Sequence, residues 1–163
     1  MDGLSEREQF VTTYGGIYEH SPWVAEETYD EFAVSGNVNH LPALLASTVD
    51  AADDQRKLIL IRAHPDLAGR AAIRGELTAE SNTEQSSAGI DQCSRQEYER
   101  FQDLNEEYKR KFRFPFVMAV RNSNREEILA AFESRLRNDH DTEFATAIAE
   151  IHKIAGLRLE AIK

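Results

Sequence analysis

A short apolar run that ends at a proline sets the first limit on how this chain can fold. The run Leu58-Ile59-Leu60-Ile61 has apolar residues on every side of a helix, and it predicts a helix that is buried all round. Pro65 ends this helix, because proline lacks a backbone N–H and pushes the preceding residue toward an extended conformation. We therefore expect His64 at the end of a buried helix, where the chain turns.

The remaining patterns also favour helices. Residues 96–111 carry an apolar stripe at helical spacing, with charged residues on the opposite face. Residues 112–120 alternate poorly and include Pro115, and the chain offers no partner strand for them, so we predict an extended apolar segment. At 163 residues the chain is long enough for one core. The predicted fold class is all-α: a single compact multi-helix bundle domain spanning 1–163, with an extended apolar segment near 112–120.

His64 has two interpretations. Its imidazole can cap the last carbonyl groups of the preceding helix, where the helix dipole favours a cation. It can also serve as a catalytic acid or base, because histidine is the side chain whose unperturbed pKa lies near neutrality. The residues alone leave both interpretations open.

Ser81 to Glu84 also has two interpretations. Ser-x-x-Glu is the capping box that opens a helix, and residues 5–8 and 94–97 repeat the spacing. Gln85 follows directly, and small residues at 86–89 leave room for a ligand to approach the backbone. A helix N-terminus is also a ready site for an anion, so this start can serve binding as well as capping.

The C-terminal helix carries one arginine on its apolar face. Arg158 falls on a stripe whose members recur at steps of three, four and seven. A buried guanidinium needs partners. Arg158 therefore reaches solvent at the helix end, pairs with a carboxylate of the fold, or binds an anionic substrate through its planar fork of donors. The apolar members of the stripe are Phe144, Ile148, Ile151, Ala155 and Ile162.

The charge balance argues against a nucleic-acid partner. The net charge is -10, from 29 acidic and 19 basic residues, whereas nucleic-acid binding needs clustered Lys and Arg. No apolar run approaches the length of a membrane span, and the five histidines are not spaced as metal ligands. The polar start is unlike a signal peptide, and the lone Cys93 suits a reducing compartment, so we expect a cytoplasmic location.

Four motifs, taken in order and spacing, carry a family resemblance. They are Glu19-His20-Ser21-Pro22-Trp23-Val24, His64-Pro65-Asp66-Leu67-Ala68-Gly69, the Leu-Thr-x-Glu-Ser-x-x-Glu-Gln-x-x-Ala-Gly run over residues 77–89, and Phe112-Arg113-Phe114-Pro115-Phe116-Val117. Together they resemble the 2-oxo-4-hydroxy-4-carboxy-5-ureidoimidazoline (OHCU) decarboxylases of ureide and purine catabolism. The resemblance spans nearly the whole chain.

The resemblance implies decarboxylation of OHCU to (S)-allantoin and carbon dioxide without a cofactor, in a homodimer. It implies that His64 donates a proton, that Glu84 orients the ureido N–H groups or the substrate hydroxyl, and that Arg158 binds an oxygen-rich part of the substrate. These three are the expected catalytic residues. The expected substrate-binding residues are Pro65, Ser81, Glu84, Gln85, Phe116, Val117, Met118, Ala119, Val120 and Arg158.

Two departures from the family pattern and two rival functions accompany this interpretation. Ile90 stands where leucine is usual, which is a volume-conserving change. Arg113 stands where glycine is common before Phe-Pro-Phe, beside the expected pocket.

The rival functions are a non-catalytic helical binding or scaffold module, and a lyase that acts on a related ureide acid.

Overall fold

All regular secondary structure in the described part of the chain is helical. The computed structural model describes residues 3–69 and 76–162. Within them no helix is both long and apolar enough to cross a membrane. The predicted all-α fold class is confirmed. The helices are α1 (Glu6–Tyr14), α2 (Trp23–Ser35), α3 (Leu41–Asp50), α4 (Asp54–Arg62), α5 (Ala79–Ser87), α6 (Arg95–Phe112), α7 (Arg125–Arg135) and α8 (His140–Ala161), with short 3₁₀ turns at Val38–His40 and Ile90–Gln92.

The chain divides into two compact units. The first unit comprises Met1–Ala63 and His152–Lys163, and the second comprises His64–Ile151. Helix α8 therefore gives its first turns to the second unit and its last turns to the first. The expected single domain over 1–163 stays a prediction.

The first unit is held together by aromatic and hydroxyl contacts between its first three helices. The ring of Phe10 in α1 lies 5.4 Å from the ring of Tyr29 and 4.9 Å from that of Phe32, both in α2. The hydroxyl oxygens of Thr28 in α2 and Thr48 in α3 are 2.6 Å apart, at hydrogen-bonding distance. Ring packing thus joins α1 to α2, and a hydroxyl pair joins α2 to α3.

Helix α4 corrects one expectation. It begins after Asp53, whose carboxylate accepts a hydrogen bond from the Arg56 N–H at 2.8 Å, and it ends at Arg62, before the proline. Leu60 and Ile61 are fully buried, but the side chain of Ile59 is 57% exposed. The prediction of a helix buried all round was therefore wrong: α4 has one buried face, and the apolar run extends beyond it.

Five buried aromatic side chains pack together within the core of the second unit. The rings of Phe116 and Phe132 stack with their centroids 3.8 Å apart, and Tyr108 lies edge-on to both. Residues 115–120 follow α6 without regular secondary structure. The expected apolar segment near 112–120 is therefore present but begins later, because Phe112 still belongs to α6 and Arg113 ends that helix. Ring packing anchors it. The five aromatic residues are Tyr108, Phe112, Phe114, Phe116 and Phe132.

Arg113 occupies a backbone conformation that favours glycine. It ends α6 with φ 66° and ψ 22°, the left-handed region in which a Cβ atom is unfavourable. We expect Arg113→Gly to be more stable than Arg113→Ala by about 1 kcal/mol, because both variants lose the side chain and only glycine lacks the Cβ atom. Urea denaturation of the two variants measures this difference. Equal stabilities would contradict a backbone penalty at this position.

Candidate active site

The loop after α4 places His64 and Pro65 at the start of the second unit. The Ala63 N–H donates to the Ile59 carbonyl at 2.9 Å and closes the last turn of the helix. His64 follows with its side chain buried, and Pro65 is half-buried. The sequence thus placed His64 correctly at a helix end, whereas its role as cap or proton donor stays a prediction.

Gln85 fixes the backbone of this loop. Its Oε1 accepts a hydrogen bond from the Ala68 N–H at 3.1 Å, and its Nε2 donates to the Asp66 carbonyl at 3.3 Å. Ala68 has φ 54°, so the loop turns through a left-handed residue at the point where Gln85 holds it. Gln85 was expected to bind substrate. The structure shows that one donor and one acceptor of its amide hold the chain next to Pro65.

Three side chains from one face of α6 hold the same loop. Gln102 donates to the Ala68 carbonyl at 2.6 Å, and Asn105 donates to the Leu67 carbonyl at 2.9 Å. Lys109 contacts the Asp66 carboxylate at 2.6 Å. The three side chains share one face because they are three and four residues apart. The sequence patterns did not indicate a site role for these three residues. The available signal was Asn105, a polar residue next to the apolar stripe of α6.

The start of α5 differs from the expected capping box. Helix α5 is capped by Thr78, whose hydroxyl oxygen accepts a hydrogen bond from the Ser81 N–H at 3.1 Å. Ser81, Glu84 and Gln85 therefore lie within the helix and share one face, because they are three and four residues apart. Ser81 and Gln85 are buried and Glu84 is half-buried. The capping-box interpretation of Ser81 was wrong, whereas residues 5–8 and 94–97 do form capping boxes.

Two side chains hold the backbone of the segment from Phe116 to Val120. Arg135 donates from Nη1 to the Val117 carbonyl at 2.6 Å, and the Ala119 N–H donates to Glu150 Oε1 at 3.2 Å. Met118 and Ala119 are half-buried, whereas Phe116, Val117 and Val120 are buried. The segment is thus fixed by side chains that the sequence analysis did not name, and its contact with substrate stays a prediction.

Arg158 lies in the first unit, where it contacts a carboxylate and two backbone carbonyls. Its Nη2 donates to Glu19 Oε2 at 3.0 Å, and its Nη1 lies 3.3 Å from the carbonyl oxygens of Gly16 and Ile17. Arg158 is 4% and Glu19 1% exposed, so this is a buried ion pair. Pairing with a carboxylate of the fold, one of the alternatives for Arg158, is what the structure shows. Its contact with substrate stays a prediction.

The predicted site residues fall into both units. His64, Pro65, Ser81, Glu84, Gln85 and the segment from Phe116 to Val120 belong to the second unit, and Arg158 belongs to the first. Within the second unit, the hydrogen bonds of Gln85 join α5 to the loop that follows His64. Glu19, which pairs with Arg158, belongs to the motif at residues 19–24, but the sequence did not predict it as a site residue.

A cavity of about 500 Å³ borders Gln85 in the second unit. Asn82, Ser86, Tyr98 and Cys93 are among its lining residues. Burial, and next the nearby Glu97, raise the pKa of the Cys93 thiol. A raised pKa lowers the fraction of reactive thiolate, so Cys93 is poorly suited to act as a nucleophile.

Metal-binding side chains do not cluster in the described ranges. Among residues 3–69 and 76–162, no group of three or more His, Cys, Asp or Glu side chains is arranged to hold a metal ion. The expected absence of a metal cofactor stays a prediction.

Comparison with known proteins identifies the family. The family model described as OHCU decarboxylase matches residues 4–160. A 2-oxo-4-hydroxy-4-carboxy-5-ureidoimidazoline decarboxylase of Haloferax volcanii is 47% identical over 152 residues, which cover 93% of this chain and 88% of that protein.

Two solved structures share the fold. The crystal structure of (S)-allantoin synthase is 30% identical with a TM-score of 0.76, and the match covers 97% of this chain and 51% of that one. The crystal structure of OHCU decarboxylase in the presence of (S)-allantoin is 22% identical with a TM-score of 0.67, covering 83% of this chain and 89% of that one, and it supports the fold alone. From the family match and the sequence identity, this chain belongs to the OHCU decarboxylase family.

Proposed function

We propose that this protein decarboxylates OHCU to (S)-allantoin and carbon dioxide. The observation that carries the proposal is the extent of the match: a relative named for this reaction is aligned over 93% of this chain and 88% of its own length. Family membership supports this activity, because the motifs that indicated the reaction lie within the residues matched by the family model.

The reaction itself needs no external electron acceptor. When the bond between the ring carbon and the carboxylate breaks, carbon dioxide leaves and the electron pair forms a C=C bond to the adjacent ring carbon. The electrons of the ring C=N bond pass to its nitrogen, which takes up one proton, and the result is a neutral enol. A proton then adds to the carbon that carries the ureido group, while the former hydroxyl becomes a carbonyl and loses its proton. The protein must therefore hold the carboxylate out of the ring plane, stabilise the enol and deliver one proton to one face.

We assign the proton donor to His64. Its side chain is buried, and the loop that follows it is fixed at Asp66 and Ala68 by Gln85. A group that transfers a proton to one face must be held in a defined position, because small displacements of a reacting group are costly. The fixed loop supports this assignment by limiting the positions that the imidazole can adopt.

The α5 face supplies the proposed polar contacts to the substrate. Ser81, Glu84 and Gln85 share this face, and Glu84 would orient the ureido N–H groups or the hydroxyl. An amide side chain offers two donors and two acceptor lone pairs. One donor and one lone pair of Gln85 hold the loop, so its contact with substrate would use the others.

The extended segment of the second unit and Arg158 of the first unit are the remaining proposed substrate-binding elements. Pro65 and the backbone from Phe116 to Val120 would form the pocket wall, which is fixed at Val117 by Arg135. Arg158 would bind an oxygen-rich part of the substrate while paired with Glu19.

We also propose a homodimer, a cytoplasmic location and no nucleic-acid partner. The family resemblance supports the dimer, and the net charge of -10 supports the absence of a nucleic-acid partner.

The activity can be tested by circular dichroism while urate oxidase and hydroxyisourate hydrolase generate OHCU in situ. The spontaneous reaction gives racemic allantoin, so an optical signal reports enzymatic protonation on one face. We expect the wild-type protein to give dextrorotatory (S)-allantoin. The same mixture without the protein is the control.

Failure of this test would separate the rival functions. A signal equal to the protein-free control, from a well-folded sample, would overturn the proposed reaction. Binding of (S)-allantoin by that sample would then favour a lyase for a related ureide acid, and absence of binding would favour a scaffold module.

A further inference from the structure

Two successive hydrogen bonds in the first unit end at Tyr18, the residue that precedes Glu19 of the Glu19–Arg158 pair. The hydroxyl of Tyr18 lies 2.8 Å from His152 Nδ1, and His152 Nε2 lies 2.9 Å from Asp50 Oδ1. Tyr18 is buried, the His152 side chain is 23% exposed, and that of Asp50 is 62% exposed. The two hydrogen bonds thus run from a surface carboxylate at the end of α3, through α8, to a buried phenol.

The carboxylate sets the direction of both hydrogen bonds. An ionised carboxylate only accepts, so His152 Nε2 must carry a hydrogen and donate it to Asp50. In the neutral imidazole Nδ1 is then the acceptor, and the Tyr18 hydroxyl must donate to it. Burial, and next the charge of Asp50, raise the pKa of Tyr18, which keeps this hydroxyl protonated as the donor. When the imidazole is neutral, the three side chains therefore form a relay with a single polarity.

The relay holds the same backbone segment that Arg158 holds. Arg158 contacts the carbonyls of Gly16 and Ile17 and the carboxylate of Glu19. Tyr18 lies between these contacts in the chain, and His152 binds its side chain. Both anchoring side chains come from the last turns of α8. Without the Tyr18 bond, the segment loses one of the side-chain contacts that α8 makes with it.

We propose that Tyr18, His152 and Asp50 are positioning residues, which fix residues 16–19 and hence the Glu19–Arg158 pair for substrate binding. The proposal rests on the proposed function, in which Arg158 binds an oxygen-rich part of OHCU. Removing the Tyr18 hydroxyl leaves the ring in place but frees the segment to shift. A displaced binding group weakens substrate binding without changing the chemistry of proton delivery.

Steady-state kinetics of Tyr18→Phe test the proposal, with OHCU generated freshly by the two upstream enzymes. We expect KM to rise about 10-fold with little change in kcat, because the displaced group contributes binding. His152→Gln should do the same, and the double variant should lose little more, since both changes break one relay. Asp50→Asn should have a smaller effect in the same direction.

Tyr29→Phe is the matched control. It removes a hydroxyl from the same unit and keeps a ring that packs on Phe10. A purely structural role of the relay predicts a different result: a smaller folded fraction lowers the maximal rate in proportion and leaves KM unchanged. Amide hydrogen exchange of residues 16–19 should quicken in Tyr18→Phe and not in Tyr29→Phe.

The possible failures are distinguishable. An active wild type with an unchanged KM in Tyr18→Phe overturns the relay and leaves the proposed function intact. An inactive wild type overturns the proposed function, and with it the role of the relay in this reaction, whatever the hydrogen exchange shows. Additive losses in the double variant would overturn the claim that the two side chains act as one unit.

Discussion

His64→Asn is expected to lower the rate of (S)-allantoin formation by about 10² to 10⁴-fold, the usual contribution of a general acid or base. Asparagine keeps a polar side chain of smaller size at the end of α4 but cannot carry a proton between donor and acceptor near neutral pH. Because spontaneous decay of OHCU continues without the enzyme, the product of the variant should approach racemic allantoin. Circular dichroism of the coupled reaction measures this directly.

The matched control for this variant is His140→Asn. His140 lies in the same unit, and its side chain is 57% exposed, so its replacement should leave both rate and optical purity unchanged. Far-ultraviolet spectra and thermal melts of the two variants must show the same folded state. Full turnover by folded His64→Asn would remove His64 as the proton donor and leave its helix-capping interpretation as the better one.

Local rules predicted much of the fold because they depend on atoms that are close in sequence. Ser5 and Ser94 each bond forward to the N–H three residues on, as the capping-box pattern requires. Ser81 has the same pattern but does not start its helix. Thr78 lies three residues earlier and takes the same role, with Ser81 as its donor. The pattern names candidates for a helix start, and competition between neighbouring hydroxyl groups decides among them.

The side chains that fix the candidate site could not be predicted in this way. Asn105 binds a carbonyl 38 residues away, and Arg135 binds one 18 residues away. Their partners are backbone oxygens, which every residue carries, so the sequence contains no matching signal. For Arg158 the sequence does predict an acidic partner, because a buried guanidinium needs one. It does not indicate Glu19, because the chain has 29 acidic residues. Only the fold identifies the partner.

Each unit contains an arginine–glutamate pair that is largely shielded from solvent and also holds irregular backbone. In the first unit Arg158 pairs with Glu19 and binds two carbonyls of residues 16–17. In the second unit Arg135 pairs with Glu143 at 2.9 Å and binds the Val117 carbonyl. A guanidinium suits this task because its planar fork can serve a carboxylate and a carbonyl together. The segment that Arg135 holds forms part of the proposed pocket wall, and Arg158 is itself a proposed substrate-binding residue.

Glu143→Ala is expected to be the most destabilising single change considered, at about 3–5 kcal/mol, because it leaves the Arg135 charge buried without its partner. Glu143 is fully buried and accepts hydrogen bonds from Tyr108, Arg135 and Asn138. Burial, and next the bond to Glu143, raise the pKa of Tyr108, so its hydroxyl stays a donor. All three donors lose this acceptor in the variant. Typical domains are stable by only about 5–15 kcal/mol, so the variant should lie near the limit of folding.

Glu133→Ala provides a matched comparison for this loss. Glu133 also pairs with an arginine, Arg100, at 2.5 Å, but the two side chains are 46% and 48% exposed. Solvent replaces an exposed pair at little cost, so we expect a loss under about 1 kcal/mol. Urea denaturation of both variants measures the contrast, with midpoints compared at equal slope. Similar small losses would mean that water reaches Arg135 once Glu143 is gone, and that the pair does not depend on exclusion of solvent.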